Sequence, residues 1–258
     1  MLFGFVHGVM NTDNTSISGE TIDYGPCAFM EAYEPDKVFS SIDHQGRYAY
    51  SNQPRAALWN LTRLAETLLP ILALEEGSES TAIASANEAL AAFDLKFAAA
   101  RAAGLRRKLG LFREREGDAA LAEDLMQRMA TNSADFTLTF RRLCDAVAGP
   151  QGDEEVRNQF ADAGAYDLWA SEWRRRLEEE PVSAEARATA MRLASPAYIP
   201  RNHVVEAALD AAVERQDFQP FEDLLEILSH PYEERPDLER YVTPASPEEC
   251  VRQTFCGT

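Results

Sequence analysis

Three oxygen-bearing side chains near the amino end of the sequence are of the types that phosphate chemistry requires. They are Asp13, Asn14 and Asp23, within the stretch HGVMNTDNTSISGETIDYGP, residues 7–26. Magnesium is bound through one or two carboxylates together with neutral oxygens, and nucleotidyl transfer needs a further carboxylate to accept the proton of the attacking hydroxyl. Because adjacent residues of an extended loop point in opposite directions, Asp13 can face the nucleophile while Asn14 faces the metal.

The same three side chains also suit a structural role, because Asn and Asp cap turns in loops of this composition. Their order nevertheless favours chemistry. An Asp base, an Asn metal ligand and a downstream Asp-aromatic-Gly follow one another in protein kinases. Here Asp13 abuts Asn14, and Asp23 opens Asp-Tyr-Gly a short way downstream. This compressed spacing excludes a standard protein kinase.

The elements around these residues change character at Pro54. Residues 1–54 are rich in Gly, Asn, Asp, Ser and Tyr, which predicts short strands and loops. After Pro54, apolar residues recur every three or four positions, which predicts helices, and Pro70 is expected to end the first of them. Further helices are predicted over 82–104, around Leu121–Met129, over Phe136–Val147, and around 165–179, 184–194, 202–215 and 219–229.

The fold class predicted from these patterns is mainly α, in three parts. Residues 1–54 form a short β/loop segment with the catalytic and metal-binding loops, and residues 55–230 form a helical body. Residues 231–258 are rich in proline and are expected to form an extended tail.

Composition narrows the class of protein. The chain has 258 residues, of which 45% are apolar, enough for a globular core. Its net charge of −18 argues against nucleic-acid partners, which need clustered Lys and Arg. No apolar run reaches the ~20 residues of a membrane span, and MLFGFV lacks the basic start of a signal peptide. We therefore expect a cytoplasmic protein without membrane partners.

Several other residues have structural interpretations. The basic runs Arg106–Lys108 and Arg174–Arg176 are interpreted as solvated helix ends. Trp59 and Trp169 are expected to anchor the core, and Cys144 to be a buried core thiol. The four cysteines form no CxxC pair, so a zinc site is not expected.

Long stretches of the sequence resemble one kinase-like family. They are HGVMNTDNTSI, TIDYGPCAFMEAY, GRYAYSNQP, WNLTRLAETLLP, PRNHVVEAALDAA, PFEDLLEIL and TFCGT. The chain resembles selenoprotein O, also called the YdiU family of protein adenylyltransferases, over nearly its whole length. The resemblance implies a kinase-like C-lobe and transfer of AMP from ATP to Ser, Thr or Tyr hydroxyls of proteins. It also implies that ATP lies reversed relative to kinases, so that the hydroxyl attacks the α-phosphate and pyrophosphate leaves.

The resemblance also implies roles for individual residues. Asp13 would accept the proton, while Asn14 and Asp23 would hold Mg²⁺ or Mn²⁺, with Asp23 also close to the nucleotide phosphates. Cys27 and Cys256 would form a redox-sensitive disulfide that ties the tail to the active-site loop; the alternative is that the cysteines are free thiols in a reducing cytosol. His7, Arg47, Asn52 and Gln53 are interpreted as supports of the catalytic segment.

Parts of such an enzyme are not found in this sequence. None of the 13 glycines forms G-x-G-x-x-G, and no V-A-x-K precedes the catalytic loop, so the resemblance is to a C-terminal half whose N-lobe is absent. Two functions remain open. The first is an adenylyltransferase whose N-lobe belongs to another polypeptide or to a longer chain, and which transfers little or no AMP alone. The second is a non-catalytic, kinase-like remnant that acts as a helical interaction domain.

Overall fold

A computed structural model describes residues 1–255 of the chain. Within them, two short strands pair with each other: β1 (Phe5–Val6) and β2 (Ala28–Phe29). The helices are α1 (Gln53–Glu76), α2 (Glu79–Lys108), α3 (Asp118–Asn132), α4 (Phe136–Ala146), α5 (Asp153–Arg157), α6 (Ala163–Glu178), α7 (Ala184–Ala194), α8 (Asn202–Arg215), α9 (Gln219–Ser229) and α10 (Glu239–Val242). The prediction of a mainly α fold is therefore confirmed.

Local sequence signals explain where several helices begin. The side chain of Asp135 accepts a hydrogen bond from the backbone N–H of Leu138 (2.8 Å) and so caps α4. Asp162 caps α6 in the same way, and Ser183 caps α7. Each cap satisfies one of the N–H groups that a helix start leaves without an intrahelical acceptor.

The prediction that Pro70 ends the first helix is wrong. Helix α1 continues past it to Glu76 and ends at Gly77, which has a left-handed φ of 79°. Proline removes only one backbone donor from a helix interior, and the turns on both sides keep theirs. Gly77 is the stronger stop signal because glycine adopts the left-handed conformation without a steric penalty.

The chain divides into two compact units whose boundaries differ from the three predicted segments. Unit 1 contains Met1–Phe5, Phe29–Glu34 and Ala102–Arg252. Unit 2 contains Val6–Ala28, Pro35–Arg101 and, at the end of the described chain, residues 253–255. Asp13, Asn14 and Asp23 all belong to unit 2.

The core of unit 1 contains a pair of stacked indoles. The rings of Trp169 and Trp173 lie 5.3 Å apart, and each indole N–H donates to a backbone carbonyl, that of Leu121 and that of Leu109 respectively. Trp169 is buried, as predicted, and so is Cys144 on α4. Buried indoles need such acceptors because an unpaired donor in the core is costly.

The last residue of each basic run is buried, so the prediction of solvated helix ends is wrong there. Arg176 lies between two carboxylates, 2.7 Å from Asp118 and 2.9 Å from Glu180. Lys108 is only 2% exposed. Whether a basic residue is buried depends on which face of its helix packs against the core. A run of three basic residues covers several faces and does not indicate the packed one.

Trp59 is also not the core anchor that the sequence predicts, since 42% of it is exposed. The guanidinium groups of Arg47 and Arg63 lie 4.7 Å and 5.3 Å from its ring centroid. Two cations therefore cover the ring by cation–π contact instead of apolar side chains.

The segment from residue 231 is not extended throughout. It contains a 3-10 turn at Pro236–Leu238 and the short helix α10. Tyr241 of α10 is buried in a cluster with Tyr198, Leu224 and Ile227, so apolar burial overrides the proline-rich composition. Across residues 1–255, no helix has the length and apolar character that crossing a membrane would require.

Candidate active site

Asp13 lies in a single 3-10 turn, Thr12–Asn14, where it is exposed to solvent. The backbone N–H of Asn14 donates to the carbonyl of Asn11 (3.1 Å), and that of Thr15 donates to Thr12 (3.3 Å). These two bonds fix the direction of the backbone at Asp13. Its carboxylate is therefore presented to solvent on a defined turn.

Helix α1 holds this turn through one buried amide. The Nδ2 of Asn60 donates to the backbone carbonyl of Met10 (3.0 Å) and to the Oγ1 of Thr15 (2.8 Å), so it contacts both sides of the turn. The hydroxyl of Tyr48 supports the same loop by donating to Oδ1 of Asn11. Sequence reasoning missed both anchors, although a buried Asn on an otherwise apolar helix face is a signal that could have identified Asn60.

Asn14 is half-buried, and its side-chain amide has a defined orientation. Its Nδ2 donates to the backbone carbonyl of Val9 (3.0 Å). With the amide nitrogen directed at the protein, Oδ1 is the end that can serve as a metal ligand. The metal-ligand role of Asn14 stays a prediction, and the hydrogen bond to Val9 defines which atom would serve it.

Asp23 is brought back toward the turn by a β-bridge. Thr15 and Thr21 form an isolated antiparallel β-bridge, which turns the segment leading to Asp23 back alongside the residue that follows Asn14. One carboxylate oxygen of Asp23, Oδ1, accepts the backbone N–H of Gly25 (3.0 Å). This bond orients the carboxylate and leaves Oδ2 as its second acceptor atom.

The turn at His7–Val9 is linked to Asn14 by a hydrogen bond and to Asp23 by an electrostatic interaction. Asn14 donates to the Val9 carbonyl, and the Asp23 carboxylate acts electrostatically on His7. Gly8 has a φ of 86°, and a Cβ there would lie 2.6 Å from the carbonyl oxygen of Pro26. A close backbone approach that only glycine permits therefore joins this turn to the segment that follows Asp23.

His7 is buried beneath these groups, in the supporting position that the sequence predicts. Its backbone N–H donates to Oε1 of Gln53 (3.0 Å), and its Nδ1 accepts the N–H of Val9 (3.4 Å). Burial lowers the pKa of His7 below its usual range, while the Asp23 carboxylate opposes that shift. A neutral imidazole at neutral pH is consistent with a group that fixes the loop.

The donor set fits a hard cation. Asn14 offers an amide oxygen and Asp23 a carboxylate oxygen, and neither atom is the one bound to the backbone. In residues 1–255 no group of three or more His, Cys, Asp or Glu side chains could hold a metal by itself. Magnesium sites that are completed by substrate phosphates need only one or two carboxylates, so the two observations are compatible.

Cys27 is half-buried, and its thiol donates to the backbone carbonyl of Tyr24 (3.3 Å). Burial raises the pKa of this thiol. Cys256 lies outside the described residues, so the Cys27–Cys256 disulfide stays a prediction. The Oγ1 of Thr254 donates to the carbonyl of Pro26. In the sequence, Thr254 lies two positions before Cys256 and Pro26 directly precedes Cys27.

Known proteins similar to this chain define its class. The protein nucleotidyltransferase YdiU of Bradyrhizobium diazoefficiens is 57% identical over 258 residues, which is 100% of this chain and 52% of the relative. That of Nitrobacter winogradskyi is 58% identical and is covered to 50% of its length. That of Methylorubrum extorquens strain PA1 is 58% identical over 261 residues, covering 99% of this chain and 52% of the relative.

The family follows from a second comparison. The family of the protein adenylyltransferase SelO matches residues 1–229. The chain belongs to this family, as its motifs predict. It spans about half the length of the curated relatives that it matches.

Proposed function

We propose that this chain carries the catalytic loops and helical body of a protein adenylyltransferase, with the architecture of a kinase-like C-lobe. The complete enzyme, of which this chain is a part, moves AMP from ATP to Ser, Thr or Tyr hydroxyls of proteins. The observation that carries this proposal is the orientation of Asn14 and Asp23, each held by a hydrogen bond to the backbone, with Asp13 next to Asn14 on an exposed turn. The membership in the SelO family supports it.

Asp13 is the proton acceptor in this proposal. The substrate hydroxyl forms a bond to the α-phosphorus of ATP, the bond between that phosphorus and the bridging oxygen breaks, and pyrophosphate leaves with the electron pair. The hydroxyl proton passes to the Asp13 carboxylate. The exposure of Asp13 suits this role because the nucleophile belongs to another protein and must reach the carboxylate from solvent.

Asn14, through Oδ1, and Asp23, through its carboxylate, would hold Mg²⁺ or Mn²⁺. When bound, such a cation offsets the negative charge of the phosphates and of the departing pyrophosphate. The chain's own contribution is orientation. The Val9 carbonyl fixes the Asn14 amide and the Gly25 N–H fixes the Asp23 carboxylate, so little side-chain entropy remains to be lost when the cation and nucleotide bind.

Metal binding by this chain can be tested without turnover. Electron paramagnetic resonance distinguishes Mn²⁺–ATP in solution from Mn²⁺–ATP bound to the chain, because the slower tumbling of the bound complex changes the Mn²⁺ spectrum. We expect the Mn²⁺–ATP complex to bind and Asp23→Asn to weaken that binding at least about tenfold. The matched control is Asp94→Asn, which makes the same change on the exposed face of α2. Equal binding by wild type and Asp23→Asn would contradict the assigned metal site.

Transfer itself needs the remaining length found in the relatives, because a lone C-lobe offers only part of a phosphate clamp. We expect little or no AMP transfer by this chain alone. A chain of the relatives' full length should label a protein substrate, and Asp13→Asn in that chain should lower labelling at least about a hundredfold with Mn²⁺–ATP binding retained. Labelling that is unaffected by Asp13→Asn would remove Asp13 from the reaction. Mn²⁺–ATP binding without labelling by the chain of full length would favour the non-catalytic remnant.

The redox disulfide belongs to the same proposal. Thr254, two positions before Cys256 in the sequence, donates to the carbonyl of Pro26, the residue before Cys27. Peptide mapping under non-reducing conditions after mild oxidation should recover the two cysteines linked, also in a Cys250→Ser variant. Recovery of both as unlinked thiols would exclude the bond.

A further inference from the structure

Lys108, the last residue of α2, has an unusual environment for a charged side chain. It is 2% exposed. Its Nζ lies 4.7 Å from the ring centroid of Phe140, 5.2 Å from that of Phe3 and 5.9 Å from that of Phe136. Three aromatic faces can stabilise an ammonium group, but they do not neutralise its charge.

The charge of Lys108 has no opposite partner in the described part of the chain. Within residues 1–255, no carboxylate lies within ion-pair distance of its Nζ. The titratable groups around it are the Met1 amine, Arg107, Tyr232 and the Cys144 thiol, and burial raises the pKa of that thiol to about 11. Burial lowers the pKa of Lys108 to about 7. Buried ammonium groups are normally paired, so the position lacks an anion.

A cavity of about 380 Å³ opens at this position. Its polar lining is supplied by Lys108, Arg107 and Tyr232, and its apolar lining includes Leu2, Phe3 and Leu193. The lining contains two cations and no acid, although the chain as a whole carries a net charge of −18. The cavity is therefore positively charged in a protein that is negatively charged as a whole, so it favours negatively charged ligands.

A glycine of α2 shapes one wall of the cavity. A Cβ on Gly104 would lie 2.2 Å from the Cδ1 of Leu2. The glycine therefore lets Leu2 lie directly against the helix and form part of the apolar lining. The wall is closely packed, and the volume lies within the range of small-molecule sites.

We propose that this cavity binds a small organic anion, a monocarboxylate with a short apolar chain. Its carboxylate accepts hydrogen bonds from the Nζ of Lys108, and its chain lies against Leu2 and Leu193. The aromatic faces around Lys108 and the carboxylate then share the ammonium charge. A purely inorganic anion would leave the apolar part of the lining without a partner.

The protonation of Lys108 gives the proposal a second, independent signature. At about pH 8 much of the amine is neutral, because its pKa is about 7. A carboxylate binds the ammonium form, so binding raises the pKa and draws a proton from the buffer. The Cys144 thiol is neutral at this pH because burial raises its pKa to about 11. Burial lowers the pKa of the nearby Met1 amine, so the loss of proton uptake in Lys108→Met is the result that assigns the uptake to Lys108.

Isothermal titration calorimetry with hexanoate tests the proposal. Measured at about pH 8 in two buffers with different ionisation enthalpies, wild type should bind saturably and take up protons. Lys108→Met should weaken binding at least about tenfold, and 1-hexanol should bind more weakly than hexanoate to wild type. The matched control is Lys96→Met, because Lys96 is an exposed lysine of the same helix; it should leave affinity and proton uptake unchanged.

Lys108→Met should fold, because an apolar side chain of similar length replaces an unpaired buried charge. A second variant makes the test independent of that residue. Leu193 is 70% exposed at the rim, so Leu193→Glu adds a repelling carboxylate at little structural cost and should also weaken hexanoate binding about tenfold. Absence of saturable binding up to about 10 mM, or wild-type affinity in either variant, would overturn the proposal. The proposal is independent of nucleotidyl transfer, since Mn²⁺–ATP binding should be unchanged by both substitutions.

Discussion

Replacing Asn60 by aspartate should loosen the turn that carries Asp13 and Asn14. The two side chains have the same shape, but aspartate puts an oxygen where the Nδ2 of Asn60 now donates to the Met10 carbonyl and to the Thr15 hydroxyl. The Thr15 hydroxyl can donate to aspartate only by giving up its own hydrogen bond to the Asn11 carbonyl (3.0 Å), and the Met10 carbonyl cannot donate at all. The substitution therefore removes the buried hydrogen bond to the Met10 carbonyl. It also places a carboxylate oxygen against that carbonyl oxygen, so two acceptors face each other without a proton between them.

The size of the effect follows from the burial of this site. Asn60 is 4% exposed, so little water can replace the lost donor. A buried hydrogen bond contributes about 1 kcal/mol, and a buried unsatisfied group costs a further 1–3 kcal/mol or so. We expect a loss of about 2 kcal/mol, which corresponds to an increase of about 30-fold in the opening equilibrium of the turn.

Hydrogen exchange read by mass spectrometry measures this opening directly. The amides of Asn14 and Thr15 are bonded within the turn, so peptides containing them should exchange faster in Asn60→Asp. Asn87→Asp is the matched control because it makes the same substitution on the exposed surface of α2. Exchange in the turn that is equal in the two variants would refute the idea that Asn60 holds the turn that carries Asp13.

Two further predictions concern stability. Gly8→Ala should destabilise the chain by about 2 kcal/mol more than Gly19→Ala in urea unfolding, because both glycines have left-handed φ values but only a Cβ at Gly8 meets a backbone atom, the carbonyl oxygen of Pro26; equal losses would contradict the close approach. Burial raises the pKa of Glu180, but two backbone N–H donors and the Arg176 guanidinium outweigh it and lower the pKa overall, so its contribution to stability is present above the unfolded pKa of about 4.3 and is lost as the pH falls through the lower folded value. Unfolding free energies measured below about pH 5 should therefore fall less steeply in Glu180→Gln than in wild type, and identical slopes would argue against this linkage.

The helices could be predicted from the sequence because both of their signals are local. Apolar spacing and capping residues such as Asp135 act within a turn or two of the chain. The errors at Trp59 and Lys108 have a different origin. Periodicity identifies the stripe of a helix but not the element that covers it, so Trp59 lies under two guanidinium groups and Lys108 under three rings.

The candidate site was predicted in its residue types but not in its supports. Asp13, Asn14 and Asp23 lie close in sequence, and their donor chemistry can be read directly. Asn60 lies 45 residues from Thr15, its hydrogen-bond partner. No local pattern indicates a contact across such a separation, and single-sequence reasoning has no signal for it beyond the polarity of Asn60 on an apolar face.

The interleaving of the two units along the chain limits how the protein can be dissected. The backbone changes from one unit to the other after Phe5, Ala28, Glu34, Arg101 and Arg252. Neither unit is therefore a continuous stretch, and cutting a single peptide bond cannot release either as a separate fragment. A shortened gene that ends at Phe5, Ala28 or Glu34 would remove helices from both units, so truncation at these junctions would report joint loss of structure instead of the properties of one part.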